Sequence, residues 1–558
     1  MPLLSLPGFR LRIRLFLCLT ALLLSAPPSA APLLADTGIA KEITAAQLRD
    51  YLYFVASDEM EGRDTPSRGL DTTAKFLATL LSRWGVKPGG EEGTYFQKIM
   101  LRADRLTPEE CSAALNDQKF AYGQDYFVPA GLGAGGGSVN APVVYAGDGW
   151  LLKSQGKDAL KGLDVQGKIV VIRNYGSRLP KGVSEETLRQ GKEGEDWERP
   201  AEYARKRGAV GIVFLLSREE MREWDRLRRG LQGSPVPRPE RLTGSREPED
   251  RPRLPAILIN EAMARALFAG ERADADSILQ ENPPEGFALS ADKRLSFNAA
   301  LRIERTPTSN VIAIVEGSDP KLKSEYVALS CHYDHVGVSR RQTASDRIFN
   351  GADDNGSGTV TLLAVAEAMA KAKKRPKRSF LFIWHTGEEK GLWGSQYFTR
   401  YPTVPLDKIT ALINIDMIGR SRKPDDNNPR NRDLSGPDEV YVIGATLMSS
   451  ELERLCKSVN DGYLKLRYNY RYDDPKDPER FFFRSDHFYY AQRGIPALFY
   501  FNGVHEDYHG VGDEPQKIDY ARMEKIARTI FRTLWELAQA KSRPKVDKKL
   551  PPELTAGG

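Results

Sequence analysis

The stretch GADDNGSGTVTLLAVAEAMAKA (residues 351–372) sets two adjacent aspartates among glycines and runs directly into an apolar segment of helical length. Asp, Asn, Gly and Ser also make up ordinary surface turns, so Asp353 and Asp354 acquire meaning only from what flanks them. Upstream lies the strand-like EYVALSC (325–331). Downstream come RSFLFIWHT (378–386), a helical EKGLWGSQYFTR (389–400) and another strand-like run, ITALINIDMIG (409–419). YVIGA (441–445), a helical SSELERLCKSVN (449–460), the apolar IPALFYFN (495–502) and a closing helix over about 519–540 continue the pattern. Strand alternating with helix predicts an α/β fold, with a mixed central β-sheet and helices on both faces.

All six histidines of the chain (His332, His335, His385, His487, His505 and His509) fall in this region. Acidic residues stand where its apolar runs end: CHYDH after the first, GADDN next, Glu388 and Glu389 after RSFLFIWHT, and Asp416 after ALINI. Each has a plainer explanation when taken alone. A glutamate pair stabilises the first turn of a following helix, an aspartate caps a turn, and a histidine at a strand end is commonly a core residue. Together they point elsewhere, because ligands of open α/β sheets gather at the carboxyl ends of strands, where these segments converge.

Zinc takes imidazole nitrogen and carboxylate oxygen, and a pair of ions needs a group that touches both. A doubled aspartate in a glycine-rich turn is suited to push one carboxylate between two cations, whose charge removes the repulsion. His332 and Asp334 are two apart at a strand end, so Asp334 is expected to accept the second N–H of His332. Of the adjacent glutamates only one is placed to ligate, which leaves the other beside the metal-bound water as a general base. HEDYH (505–509) matches the H-E-x-x-H zinc signature. That motif requires a helix, and Gly503, Gly510, Gly512 and Pro515 argue against one here.

In order, HYD (332–334), GADDNGSG (351–358), TGEEKGLWGS (386–395), NIDMIGR (414–420), RSDHFYYAQRGIPALFYF (484–501) and YHGVGDEP (508–515) resemble the co-catalytic zinc aminopeptidase family of clan MH. FVASDEMEGRDT (54–65) extends the likeness to the N-terminal region. The resemblance implies the zinc exopeptidase fold and two Zn2+ ions per chain, held by His332, Asp354, Glu389, Asp416 and His509. It further implies Asp354 as the bridge, Glu388 as general base, Asp334 as the partner of His332, and a cis peptide between Asp354 and Asn355. Ser485, Asp486 and His487 match as a structural or substrate-side element. Gly512 departs from the family pattern, where a small hydroxyl residue often stands.

The implied activity is that of an exopeptidase, an aminopeptidase in the first place, in which Glu388 draws a proton from a metal-bound hydroxide's parent water. A carboxypeptidase and a glutaminyl cyclase of the same clan are alternatives, as is a non-catalytic, receptor-like binding protein on the same fold. Side-chain preference, physiological substrate and oligomeric state are not readable.

The remaining sequence has other textures. Arg10, Arg12 and Arg14 precede LFLCLTALLLSA (15–26) and the small residues of PPSAAP, which reads as a signal peptide over 1–31 and predicts export to the periplasm or the outside. No later run reaches the roughly 20 apolar residues of a membrane span. Cys111, Cys331 and Cys456 remain after the leader, an odd number that reads as core thiols rather than a disulfide framework. A net charge of +6 over 558 residues is mild and gives no ground for a nucleic-acid partner, so peptides are the expected substrates.

The N-terminal part of the peptidase domain is expected over 40–125, an inserted β-rich domain over 126–295, the zinc-binding part over 296–543 and a disordered tail over 544–558. In the insertion, LDVQGKIVVI (163–172), RPAEYARKRGAVGIVFL (199–215) and LPAILI (254–259) resemble a protease-associated domain. Its Arg-, Glu- and Pro-rich run from 217 to 253 reads as a solvated excursion.

Overall fold

The computed structural model describes residues 37–550 apart from 131–134, 174–178, 181–182, 232–236, 243–252, 281–283, 340–344 and 475, together with residue 552. The expected signal peptide and the last residues of the tail lie outside the described residues.

The predicted α/β architecture is present. Its main sheet has ten strands: β1 (Lys87–Pro88), β2 (Phe96–Leu106), β3 (Arg238–Pro239), β4 (Leu301–Val315), β5 (Tyr326–His332), β6 (Ser379–His385), β7 (Ile409–Ile415), β8 (Glu439–Ile443), β9 (Arg467–Asn469) and β10 (Ala497–Phe501). Their spatial order is β3-β2-β4-β6-β5-β7-β10-β8-β9, with β1 paired to β4. The central strands β6, β5, β7 and β10 are parallel neighbours, while β4 and β8 run antiparallel to them. Four carboxyl ends therefore emerge along one edge. His332 and His385 are register partners at that edge.

The chemistry of these strands explains their position. SFLFIWH, ITALINI and ALFYF are buried at every residue, as parallel strands covered on both faces must be. Successive side chains alternate between faces. Phe380, Phe382 and Trp384 join a core with Leu48 and Leu52 of α1 (Ala45–Val55), Leu77 and Leu81 of α2 (Arg68–Arg83), α3 (Gly358–Lys371) and Ile526 and Ile530 of the closing helix Tyr520–Gln539. Leu381 and Ile383 point the other way, toward Phe398 and Tyr490. Helix α3 is buried from Gly358 through Met369, which is why its apolar residues show no polar stripe.

A second sheet of nine strands lies in the intervening sequence, with its own cores and a parallel centre formed by Gly137–Tyr145, Ile169–Ile172, Gly211–Leu215 and Ala256–Ile259. Its extent differs from expectation. Ser112–Leu115 and Gln118–Phe120 already belong to it, although 126 was the expected start. At the other end the chain crosses back between Arg294–Ala299 and β4, at Ala300. At the first crossing the strands on both sides, β2 and Ser112–Leu115, carry the same alternating pattern, so composition does not mark that boundary.

Two segments expected to be solvated are ordered where described. Within 217–253, Ser217 forms a reciprocal capping box with Glu220, and Trp224 donates its indole N–H to the Gly123 carbonyl at 3.0 Å. Arg238–Pro239 pairs with β2 in the main sheet. In the expected tail, Val546 and Leu550 pack against the core and the Ser450 N–H donates to Asp547 Oδ1 at 2.8 Å. A few apolar anchors suffice to seat a polar segment, and composition averages over them. Cys111, Cys331 and Cys456 are all unpaired.

Candidate metal centre

The centre forms where β5, β6, β7 and β10 end. Each strand delivers its residues at its end or a few positions beyond it: His332 to His335 from β5, Glu388 and Glu389 from β6, Asp416 from β7, and His505 to Asp513 after β10. The glycine-bounded turn before α3 brings Asp353 and Asp354 between them. Gly351 opens that turn with φ 58°, and a Cβ there would stand 2.4 Å from the Asp354 carbonyl oxygen and 2.5 Å from the His335 ring.

Two donor groups result, sharing Asp354: His332, Asp354 and Asp416 form one, and His335, Asp354 and Glu389 form the other, with His509 set against its two carboxylates. On one side, His332 Nε2 lies 3.4 Å from Asp354 Oδ1 and 3.4 Å from Asp416 Oδ1. On the other, His509 Nε2 lies 3.1 Å from Asp354 Oδ2 and 3.0 Å from Glu389 Oε2. Zinc binds such atoms at about 2.0–2.2 Å, so donors around one ion stand roughly 3.0–4.4 Å apart. Both groups fall within that range, and the two oxygens of Asp354 are divided between them. All five residues expected as ligands thus converge.

The electrostatics favour cations here. Asp334, Asp353, Asp354, Asp416, Asp486 and Asp513 are all buried, and buried carboxylates are costly without a counter-charge. Burial opposes the charge on His332 and His509, yet the carboxylates around them win. Asp416 and Glu388 hold His332 well above the ordinary imidazole range, and Asp354 and Glu389 raise His509 to about 10. Protons on His332 and His509 therefore compete with a metal for these two nitrogens. Burial pushes the Glu388 carboxyl well above the usual carboxylate range, reinforced by Glu389, Asp416 and Asp486 although His332 acts against it.

The adjacent residues of each acidic pair separate. Asp354 enters the centre, whereas Asp353 turns back, its Oδ1 accepting the Gly419 N–H at 2.6 Å and its Oδ2 lying 3.4 Å from His505 Nε2. Glu389 enters the donor group, whereas Glu388 faces a cleft lined also by Asp354, Asp416, Phe481, Arg484, Phe499, Phe501 and Tyr508. The peptide bond between Asp354 and Asn355 is cis, as expected. HEDYH is a turn rather than a helix, and of its two histidines His509 reaches Asp354 and Glu389 whereas His505 faces Asp353.

One expected contact differs. His332 Nδ1 lies 3.2 Å from the backbone carbonyl of Asp334 and 3.7 Å from its carboxylate. Strand β5 ends at His332, so the period-two geometry does not extend to residue 334. The Asp334 carboxylate instead accepts the Glu388 N–H at 3.1 Å, which orients the glutamate turn.

Several supporting residues escaped the sequence reading. Arg63, fully buried, donates to the carbonyls of Val55, Tyr333, Asn350 and Gly351 and so ties the N-terminal segment to both metal-side loops. Its only sequence signal was its place in FVASDEMEGRDT. Asp513 accepts the N–H groups of Asp353 and Asp354 at 3.0 Å, and a Cβ on Gly512 would lie 2.3 Å from Asp507 Oδ1, so a side chain there would displace the Asp507 carboxylate. His335, three residues after His332, places Nδ1 2.9 Å from Glu389 Oε1.

Ser485 Oγ donates to Asp416 Oδ2 at 2.8 Å and accepts from Asn414 Nδ2 at 2.8 Å. Removing that bond in Ser485→Ala should weaken zinc at the His332–Asp416 position by about 10- to 100-fold. Chelator competition measures this; unchanged affinity would show that Asp416 is held by other means.

Residues 310–534 match the model of peptidase family M28. The chain is 26% identical over 283 residues to leucine aminopeptidase 2 of Trichophyton equinum, covering 46% of this chain and 50% of that protein. It is 26% identical over 239 residues to a probable leucine aminopeptidase of Arthroderma benhamiae, covering 41% and 58%. The chain thus spans about half the length of the curated relatives it matches. Similar solved structures include an aminopeptidase from Aneurinibacillus sp. strain AM-1 (TM-score 0.44, 16% identity, 92% of this chain and 97% of that one) and a zinc aminopeptidase from Bacillus subtilis (TM-score 0.42, 16% identity, 92% and 99%).

Proposed function

From the match of residues 310–534 to peptidase family M28, we propose that the protein is an exported zinc aminopeptidase that removes N-terminal residues from peptides. One observation carries the reading: the two oxygens of Asp354 face separate donor groups while Glu388, beside them, stays out of both and lines the cleft. The likeness to leucine aminopeptidases supports the choice of the amino end. Ligands at the two positions would be His332, Asp354 and Asp416, and Asp354, Glu389 and His509. A pair of zinc ions, when bound, supplies Lewis-acid polarisation of the scissile carbonyl and acidifies water.

The chain's own residues do the rest. The cleft walls Phe481, Phe499, Phe501 and Val504 receive an apolar N-terminal side chain and exclude water around it. Glu388, fixed through its N–H by Asp334, takes a proton from the attacking water and passes it to the departing amine. Asp334 also orients His332 through its backbone carbonyl. The nine-stranded unit is read as a protease-associated module with no part in the chemistry. Among the described residues no helix is long and apolar enough to cross a membrane, and export rests on the N-terminal leader pattern.

Free, N-acetylated and C-amidated peptides assayed with and without a chelator test the proposal. Free and C-amidated peptides should be shortened from the amino end and N-acetylated ones spared, with all activity lost to the chelator. Cleavage of acetylated but not amidated peptides would make the protein a carboxypeptidase. Ring closure of N-terminal glutamine without hydrolysis would make it a cyclase. Purified protein without zinc or hydrolysis would leave a binding module.

A further inference from the structure

The two halves of the centre are not equal. The half facing the cleft offers one imidazole, from His332, together with Asp416 and the shared Asp354. The other half has Glu389, His509 and the shared Asp354, and a second imidazole stands against it. His335 Nδ1 is 2.9 Å from Glu389 Oε1 and 3.8 Å from Asp354 Oδ2, both within the separation expected of donors to one ion. The His335 side chain is fully buried, and among the described residues its Nε2 has no hydrogen-bond partner. Its orientation is imposed from both sides: its own N–H donates to the Arg63 carbonyl at 3.1 Å, and glycine at 351 leaves room for the ring.

We infer that His335 is a fourth protein ligand of the ion at the Glu389–His509 position, through Nδ1. Two imidazoles and two carboxylates then close that position, in the manner of four-coordinate zinc, whereas the His332–Asp354–Asp416 position keeps three protein donors. The open coordination site lies on the second of these. The cleft agrees with that division. It is lined by Asp354, Asp416 and Glu388, whereas Glu389, His335 and His509 do not face it. The placement of Glu388 is consistent as well, its Oε2 lying 3.9 Å from His332 Nε2, so the proton acceptor stands on the open side.

This inference rests on the proposed zinc centre, and metal titration of the full chain separates the two. The apo-protein should take up two ions. In His335→Ala one of them should bind more than about 100-fold more weakly, beyond the effect of losing a merely supporting hydrogen bond, while the other is unchanged. Cobalt-substituted wild-type protein should show three metal-shifted histidine N–H resonances, from His332, His335 and His509, and His335→Ala one fewer. The wild-type spectrum gives the answer even if the variant folds poorly, and His335→Asn supplies a second, smaller replacement. Two shifted resonances in the wild type, or a variant that binds both ions within about 3-fold of normal, would overturn the role of His335 as ligand. Wild-type protein that binds no zinc would instead overturn the metallopeptidase reading itself.

Discussion

Glu388→Gln should keep the parent's zinc content yet turn over peptides about 100- to 10,000-fold more slowly, the range for loss of a positioned general base. The change removes only the ability to take a proton. Glutamine has the same length and fills the same place in the cleft wall, and the Glu388 N–H held by Asp334 is a backbone group that survives the substitution. The loss should fall on kcat, with KM little altered, because Glu388 belongs to neither donor group. Its burial raises its pKa in the metal-free centre, and a bound cation would act in the opposite direction. A base must be deprotonated to act, so the acidic limb of the kcat profile should belong to Glu388 and disappear in the variant. Near-normal turnover would remove Glu388 from the chemistry.

Asp354→Ala should have the other large effect, abolishing both ions and all activity together. Each oxygen of Asp354 serves a different donor group, so one deletion leaves His332 with Asp416, and His509 with Glu389, each short of a carboxylate. Asp353→Ala, its neighbour in sequence, should act more mildly, since Asp353 binds the Gly419 N–H and faces His505 rather than the centre. Zinc content by elemental analysis distinguishes them. One ion retained in Asp354→Ala would mean that the groups are independent and that no carboxylate joins them.

Much of this was readable before any coordinates. The uninterrupted apolar runs SFLFIWH and ITALINI mark strands buried on both faces, and their alternation with helical segments specifies an α/β sheet. The histidines and acidic residues at run ends were legible for the same reason, because a strand delivers its last residues to the sheet edge whatever follows, whereas the set of five ligands came from family likeness. The second residue of each acidic pair was also legible, though only through family likeness. Spacing alone does not say whether Asp353 or Asp354 turns inward.

Less was legible where the outcome depends on remote segments. The start of the second sheet, the ordered helix at Ser217 and the seated tail at Val546 and Leu550 all turn on a few anchoring contacts inside polar stretches. The Asp334 carboxylate was assigned to His332 on strand geometry that stops two residues too early.

The sequence by itself determined which elements form and which residues reach the edge of the sheet, because both follow from local periodicity and from the side chain's distance to the end of an apolar run. Only the tertiary structure decided which of those residues meet. Arg63 lies 287 residues from Asn350 and yet donates to its carbonyl, and His335 and Glu389 are 54 apart and in contact. Such encounters depend on the order and register of parallel strands, which no local pattern encodes, and on the bend of a single turn that sends Asp354 and its neighbour in opposite directions.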